Sequence, residues 1–333
     1  MKKIRIAQIG TSANSHGNQI WSSLLGQSDI FDVVGYALPE NERQKFPSRM
    51  KAFEGYREMT VEEILNDPTI EAVAVETEEI YLTKYALMVA QAGTHLHMEK
   101  PGGTDLSLFE KLIATLKQQE LVFSVGYMYR FNPKIKEAIN KVKNGSLGEI
   151  FSVEAQMSCT HSPEVRRWLG GFPGGMLFFL GCHLIDLIYQ IQGEPEKVIP
   201  LSCSTHLDGI DSQDYGMAAF QYKNGVSFTK ACDDEMGGYM RRQLVICGSK
   251  GSIEIRPLEV AAEGGQYTVM HESSTANWFT PWQESQSEVH DRYDGMMKHF
   301  AELINGKENP YDYDYELGLY KLILKACGME VPK

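Results

Sequence analysis

The stretch "KIRIAQIGTSANSHG", residues 3–17, decides how the rest of the chain is interpreted. Its first part alternates polar and apolar side chains and ends at Gly10, which predicts a β-strand that runs into a tight turn. A strand–turn–helix that binds a dinucleotide carries the pattern G-x-G-x-x-G at this point. Here Gly10 holds the first glycine position, but Ser12 and Ser15 hold the second and third. The stretch therefore predicts either a phosphate-binding loop of altered chemistry or a serine-rich helix N-terminus that binds no ligand.

Strand and helix patterns alternate from this point to about residue 125. The predicted strands are FDVVGYAL (31–38), IEAVAVET (70–77), HLHMEKP (95–101) and LVFSVGYMY (121–129). The predicted helices between them are TVEEILNDP (60–68), YLTKYALMVAQAG (81–93) and DLSLFEKLIATLKQQ (105–119). This alternation indicates right-handed βαβ crossovers and a parallel, doubly wound α/β sheet, that is, a Rossmann domain over residues 1–124.

The pattern changes in the second part of the chain. Beyond residue 195 several strand-like runs follow one another without helices, and Asn224-Gly225 between apolar flanks indicates a hairpin. Two helices are predicted near the end, around 291–305 and 315–327. Residues 125–333 are therefore expected to form an α+β domain with a large, mostly antiparallel open sheet.

Composition excludes several classes of function. Hydrophobic residues make up 43% of the 333 residues and charged residues 23%, which is ordinary for a globular protein. A net charge of −12 argues against a nucleic-acid partner, and no apolar run is long enough to span a bilayer. The N-terminal apolar run is too short for a signal peptide, so a cytoplasmic protein is expected.

The six cysteines are scattered and include no C-x-x-C pair, which favours free thiols in a reducing compartment. Cys159 with His161, and Cys182 with His183, are residue types that bind metals. Structural zinc sites have paired spacing, and this chain lacks it. No metal site is therefore predicted.

Ligands of an open parallel sheet bind beyond the carboxyl ends of the strands. In the first loop the backbone of Gly10, Thr11, Ser12 and Ala13 could receive a diphosphate at the helix N-terminus. The second strand ends at Leu38, where an acid would hold the ribose of NAD, and Arg43 beyond it could meet a 2′-phosphate. NADP is therefore at least as plausible a cofactor as NAD.

Four longer motifs carry a resemblance to a known family. They are AGTHLHMEKPGGTDL (92–106), VGYMYRFNPKIKEA (125–138), GGMLFFLGCHLIDLIYQIQGEP (174–195) and YELGLYKLILKACG (315–328). Together they resemble the Glu-Lys-Pro signature, the interdomain passage, the G-G-x-x-x-D-x-G-x-H-x-x-D helix and the C-terminal helix of the glucose–fructose oxidoreductase/inositol dehydrogenase (Gfo/Idh/MocA) family. The resemblance covers nearly the whole chain.

The resemblance implies a hydride transfer between NAD(P) and a sugar, an inositol or a related polyol. It implies that Lys100 lies near the nicotinamide and the reacting hydroxyl and that His183 is a general acid or base. Thr77 and Glu99 would lie beside the cofactor. The substrate contacts it implies are Arg167, Trp168, His183 and Asp186. It also implies a homodimer or homotetramer.

Two departures from the family pattern keep other functions open. Phe179 stands where the family has an aspartate one turn before the histidine, and "TEEIYL" (77–82) replaces T-P-N-x-x-H. Two added carboxylates near a diphosphate are unfavourable unless they are paired or turned to solvent. One alternative is an enzyme that uses tightly held NAD for transient oxidation and glycoside elimination. The other is a sugar-binding regulator without turnover.

Overall fold

The structure is a computed structural model that describes residues 2–233 and 235–332. It divides into two compact units. The first comprises Met1–Tyr127 with Tyr293–Leu317, and the second comprises Met128–Arg292 with Gly318–Lys333. A segment near the C-terminus thus returns to the first unit, which the division at residues 124 and 125 did not anticipate.

The first unit contains the predicted doubly wound parallel sheet. Its strands lie in the order β2-β1-β3-β4-β5, and all its neighbouring pairs are parallel. The elements up to residue 127 are β1 (Ile4–Ile9), α1 (Gly17–Gly26), β2 (Phe31–Ala37), α2 (Glu42–Lys45), α3 (Val61–Asn66), β3 (Ala72–Val75), α4 (Leu82–Gln91), β4 (His95–Met98), α5 (Leu106–Gln118) and β5 (Phe123–Val125).

Local sequence signals account for several of these boundaries. Thr60 and Glu63 form the reciprocal capping box that begins α3, as their spacing predicts. The strand order reverses between β1 and β3, so the loops that follow these two strands flank the crevice where such sheets bind ligands. The fold thereby places residues 10–17 and 76–81 side by side.

The second unit contains an eight-stranded, mostly antiparallel sheet in the order β15-β14-β11-β10-β6-β9-β8-β7. Its elements are α6 (Pro133–Lys143), β6 (Ile150–Ser158), α7 (Pro163–Leu169), α8 (Cys182–Gln192), β7 (Lys197–Pro200), β8 (Tyr215–Tyr222), β9 (Gly225–Cys232), β10 (Arg242–Gly248), β11 (Ser252–Ile255), β12 (Val260–Ala262), β13 (Gly265–Tyr267), β14 (Val269–Ser273) and β15 (Gln283–Gln286). The predicted hairpin is present between β8 and β9, but its two turn residues are Lys223 and Asn224, because Tyr222 pairs with Gly225.

Two details of this sheet bear on function. β6 and β9 are parallel neighbours, so their carboxyl ends meet at the same edge. A π-helical turn, Leu177–Gly181, precedes α8, and residues 182–188 of that helix are buried.

Two helices complete the chain, α9 (Asp294–Ile304) and α10 (Tyr313–Ala326). α9 belongs to the first unit, where Ser23 Oγ donates a 2.6 Å hydrogen bond to Asp294 Oδ1. Among the described residues, none of the helices has both the length and the apolar character that a membrane crossing requires.

Candidate active site

The loop after β1 keeps the geometry that requires a glycine at its first position. Gly10 has φ +89°, and a Cβ at this residue would lie 2.4 Å from Thr77 Cγ2. The backbone of the first loop therefore approaches the loop after β3 as closely as chain packing permits. Only glycine combines this contact with a positive φ at low cost.

In this loop, backbone N–H groups donate hydrogen bonds to serine hydroxyls of the loop itself. Ser12 Oγ accepts from the N–H groups of Asn14 and Ser15 at 3.2 and 3.0 Å. Ser15 Oγ accepts from the N–H groups of Ser12 and Gly17 at 3.0 and 3.2 Å. Successive amides that converge on one oxygen form the kind of nest that binds anions. Here the protein's own hydroxyls take the place of the anion oxygens.

Glu42 approaches the same loop from α2, and no sequence pattern pointed to it. Its Oε2 accepts the Thr11 N–H at 3.0 Å, and its other oxygen, Oε1, is buried without a hydrogen-bond partner within the described residues. Burial raises the pKa of Glu42 from 4.5 to about 8. A buried carboxyl with an unused oxygen beside this loop suits a ribose hydroxyl, the contact for which the sequence offered only Leu38.

The basic residues beyond β2 are engaged elsewhere. Arg43 donates to Glu58 and, at 3.2 Å, to the Tyr36 hydroxyl. Leu38 packs against the aromatic cluster of Trp21, Tyr36 and Phe53. The exposed Arg43 guanidinium is therefore paired within the protein in this structure.

The two carboxylates that depart from the family pattern have different environments. Glu78 pairs with Lys45 at 2.8 Å. Glu79 is buried, and burial raises its pKa to about 7 even though Lys100 acts to lower it. One carboxylate is thus paired, and burial favours the neutral form of the other, so the expected repulsion toward a diphosphate is reduced.

Lys100 is enclosed at the carboxyl end of β4. It is 1% exposed, and its Nζ lies 3.9 Å from Glu99 Oε1. Glu99 is also buried and lies 3.1 Å from His16 Nδ1. Burial acts to raise the pKa of Glu99, but His16, Lys100 and His97 hold it down to about 2. Glu99 is therefore the ionised partner that keeps an ammonium group in this position.

Glu76, at the end of β3, is the proton-bearing neighbour of Glu99. It is fully buried, and burial followed by the Glu99 carboxylate raises its pKa well above 4.5. Neither of its oxygens has a donor in the described part of the chain, although His97 Nε2 lies 3.7 Å away. Two adjacent carboxyl groups cannot both ionise in such a site, so one proton remains on this pair.

These residues fit a dinucleotide when phosphate oxygens replace the serine hydroxyls as acceptors for the loop amides. A phosphate oxygen is a stronger acceptor than a neutral hydroxyl and therefore competes with Ser12 Oγ and Ser15 Oγ for these amides. The unpartnered oxygen of Glu42 suits a ribose, and the closely packed Gly10 and Thr77 keep the loop backbone near the crevice. Ala13, the remaining loop residue singled out by the sequence, is exposed.

In the second unit, His183 is buried on α8 and meets the ring of Tyr129 edge-on at 5.2 Å. Asp186 forms a buried ion pair with Arg130, whose Nε lies 3.1 Å from both carboxylate oxygens. Gln190 Nε2 also donates to Asp186, at 2.8 Å. Asp186 is thus held within the protein. Arg130, which sequence reasoning had not singled out, is its partner.

Phe179 stands in an aromatic cluster at the turn before α8. Its ring meets Trp168 edge-on at 5.2 Å and lies 6.2 Å from the ring of His161. Trp168 also meets Phe172 at 4.7 Å, while Arg167 is exposed. The position that resembles the family's aspartate is therefore an apolar contact.

A histidine–aspartate pair lies beside this cluster. His161 Nδ1 lies 2.8 Å from Asp233 Oδ2, and the His161 N–H donates to Oδ1 at 2.7 Å. Cys159 Sγ lies 3.5 and 3.6 Å from the two ring nitrogens. The sequence showed Cys159 and His161 together, but it contained no sign of Asp233 as their neighbour.

A crevice at the switch point of a doubly wound sheet is the place where such sheets bind dinucleotides. Comparison with family models agrees. Residues 4–127 match the model described as "Oxidoreductase family, NAD-binding Rossmann fold", and residues 135–254 match the "GFO/IDH/MocA C-terminal domain". The chain belongs to the Gfo/Idh/MocA oxidoreductase family.

Curated relatives of this chain include two kinds of dehydrogenase. The bovine trans-1,2-dihydrobenzene-1,2-diol dehydrogenase is 25% identical over 257 residues, which cover 71% of this chain and 75% of the relative. The scyllo-inositol 2-dehydrogenase (NADP(+)) of Bacillus subtilis (strain 168) is 28% identical over 165 residues, 49% of this chain and 46% of the relative.

Solved structures share the fold. The 3-ketoreductase KijD10 from Actinomadura kijaniata, in complex with NADP and TDP-benzene, has a TM-score of 0.79 at 18% identity and covers 97% of this chain and 96% of its own. The UDP-N-acetylglucosamine 3-dehydrogenase from Acidithiobacillus ferrooxidans has a TM-score of 0.75 at 18% identity, with coverage of 98% and 97%.

Proposed function

We propose that this protein is an NAD(P)-dependent oxidoreductase that acts on a hydroxyl group, or on the corresponding carbonyl, of a sugar, an inositol or a related polyol. The observation that carries the proposal is Lys100, a lysine that is only 1% exposed at the crevice edge of the parallel sheet and is held beside Glu99. Burying an ammonium group is costly unless it is paired, and Glu99 supplies that partner here. A cation held in this position can stabilise the negative charge that develops on a substrate oxygen.

The remaining roles follow from the contacts of each residue. The diphosphate is held by the first loop, at Gly10, Thr11, Ser12 and Ala13. A ribose hydroxyl is held by Glu42. The nicotinamide end is lined by Thr77, Glu99 and Lys100. When bound, the dinucleotide accepts or supplies the hydride. His183 and Trp168 orient the substrate, Arg167 contacts it from the exposed face of α7, and Asp186 fixes Arg130. We expect a homodimer or homotetramer by resemblance to the family.

We propose NAD as the preferred dinucleotide. A 2′-phosphate offers no hydrogen-bond donor to the buried Oε1 of Glu42, and Arg43 is already paired with Glu58. A 2′-hydroxyl instead offers Glu42 a hydrogen-bond donor. Dissociation constants for NAD and NADP, measured by calorimetry in wild type and in Glu42→Gln, test this preference. We expect the ratio of the two constants to move toward NADP in the variant.

A second candidate is a sugar-binding regulator without turnover. The specific observation in its favour is that the amides of Ser12, Asn14, Ser15 and Gly17 already bind the protein's own hydroxyls. If these bonds persist, the first loop is a closed helix N-terminus rather than a phosphate site.

One experiment separates the two candidates. Thermal unfolding of the whole protein is followed with NAD, NADH, NADP and NADPH, and then with a panel of sugars and inositols. A ligand present at roughly 100 times its Kd stabilises the folded state by about 2.7 kcal/mol. An increase in Tm with a dinucleotide supports the oxidoreductase if the oxidised dinucleotide is then reduced when a polyol is added. A shift with sugars alone supports the regulator.

Lys100→Met provides the matched control, because methionine fills a similar volume without the charge. We expect this variant to keep its dinucleotide affinity and to lose turnover by at least about a hundredfold. Undiminished turnover in Lys100→Met would contradict the role assigned to this lysine.

A further inference from the structure

We propose that His161, held by Asp233, is a proton-transfer group of this protein's active site and replaces the acid that Phe179 has displaced. The inference rests on the proposed oxidoreductase function and adds to it a residue pair from outside the helix that carries His183. The proposed proton-transfer group therefore lies just beyond the ends of β6 and β9, and not on α8.

The sheet brings the pair together. β6 and β9 are parallel neighbours in which Ser158 pairs with Cys232, and the Cys159 N–H donates to the Cys232 carbonyl at 3.1 Å. Residues immediately after the two strands therefore lie side by side at one edge of the sheet. His161 follows β6 by three positions, and Asp233 is the first residue after β9.

The carboxylate orients the imidazole through two hydrogen bonds. The backbone N–H of His161 donates to Asp233 Oδ1 at 2.7 Å, and Nδ1 donates to Oδ2 at 2.8 Å. A proton on Nδ1 leaves Nε2 as the nitrogen that exchanges a proton with a ligand. A carboxylate behind an imidazole has the same orienting task in catalytic triads.

The position of the pair matches a catalytic role. The ring of His161 lies 6.2 Å from Phe179, the residue one turn before His183. The Asp233 side chain is fully buried, whereas 25% of the His161 side chain is exposed. The carboxylate is thus shielded from solvent, while the imidazole has an open edge.

The charged surroundings favour the protonated ring. Burial acts to lower the pKa of His161, but the hydrogen bonds with Asp233 and Cys159 outweigh it and raise the pKa to about 10. Among the described residues, Asp233 immediately after β9 and Cys159 immediately after β6 are the titratable groups that raise this pKa. His161 is therefore an imidazolium at neutral pH and is suited to donate a proton.

The step balances in the direction of carbonyl reduction. The substrate carbon receives a hydride, with its electron pair, from a reduced nicotinamide dinucleotide. The Nε2–H bond of His161 breaks, an O–H bond forms on the substrate oxygen, and the N–H electron pair remains on the ring. In the direction of alcohol oxidation, neutral imidazole accepts the hydroxyl proton.

Nuclear magnetic resonance of ¹⁵N-histidine-labelled, dinucleotide-free protein provides a test that does not depend on activity. We expect His161 to remain an imidazolium through neutral pH, with protons on both ring nitrogens and the Nδ1–H directed at Asp233. In Asp233→Asn the pKa of His161 should fall by about 1–3. A neutral His161 at pH 7 in the wild type would overturn the proposal. So would stoichiometric zinc on Cys159 and His161 in the purified protein, because the metal would replace the proton.

Kinetics test the catalytic role. In His161→Gln we expect kcat for carbonyl reduction to fall by about 10²–10⁴-fold with little change in KM, together with loss of the high-pH limb of the profile. His206→Gln, on the exposed surface of the same unit, is the matched control and should leave kcat and the pH profile unchanged. His161→Asn serves as the second variant if His161→Gln is unstable.

The outcomes distinguish the two hypotheses. A wild-type protein with turnover that His161→Gln does not reduce overturns the inference and leaves the proposed function standing. A wild-type protein without any turnover overturns the proposed function, and the catalytic role of His161 falls with it.

Discussion

At the scale of single residues, Glu42 makes stability depend on pH. Its pKa rises from 4.5 to about 8 on folding, so the folded state binds this proton more tightly than the unfolded state. The contribution of Glu42 is therefore fully present below pH 4.5 and is lost as the pH rises through 8. Each tenfold gain in proton affinity on folding corresponds to about 1.4 kcal/mol as an upper bound.

Glu42→Gln should remove this pH dependence. We expect the variant to match wild type near pH 5 and to exceed it near pH 9 in the free energy of unfolding, by roughly 1–4 kcal/mol, measured in urea. Glu40→Gln is the control, because the Lys84 hydrogen bond lowers the pKa of Glu40 instead. An identical difference from wild type at both pH values would contradict the assignment.

Phe179→Asp tests whether the family's aspartate can simply be restored. Phe179 is 8% exposed and packs edge-on against Trp168 at 5.2 Å, so a carboxylate at this position would lose the ring contact and be partly buried. We expect a loss of about 3–5 kcal/mol in the free energy of unfolding and no gain in turnover. Phe179→Leu, the volume control, should lose less. Increased turnover in Phe179→Asp would show that the aromatic cluster is not required.

At the scale of elements, backbone amides of the first loop are hydrogen-bonded to the loop's own serine hydroxyls. Ser12→Ala frees the amides of Asn14 and Ser15 and keeps a Cβ, whereas Ser12→Gly also removes the Cβ. We expect dinucleotide affinity to rise about tenfold in both variants, because an amide–phosphate bond replaces an amide–hydroxyl bond. Calorimetric titration measures it. A rise in Ser12→Gly alone would instead identify the Cβ as the obstacle.

Thr60→Ala is the control for that experiment. It breaks the capping box of α3, which should cost about 1 kcal/mol in stability and leave dinucleotide affinity unchanged. A parallel change in affinity would show that the loop responds to general destabilisation.

At the scale of the whole molecule, α9 completes the first unit from a distant part of the chain. Phe300 on this helix is fully buried, and its ring lies 5.8 Å from that of His97 on β4. We expect Phe300→Ala to destabilise the protein by about 3–5 kcal/mol and to speed hydrogen exchange in β4. Lys298→Ala, exposed on the same helix, should change neither quantity. Unchanged exchange in β4 would contradict the assignment of α9 to this unit.

The sequence by itself determined the parallel sheet, the change to an antiparallel sheet, the capped start of α3 and the family. These features depend on side-chain periodicity and on contacts within a few residues, which a linear pattern records directly. Only the tertiary structure decided which side chains meet at the candidate site. Glu42 meets Thr11 across 31 positions, and His161 meets Asp233 across 72. Such pairs come together because strands far apart in the chain end at a common sheet edge, and no local pattern encodes which side chains will meet there.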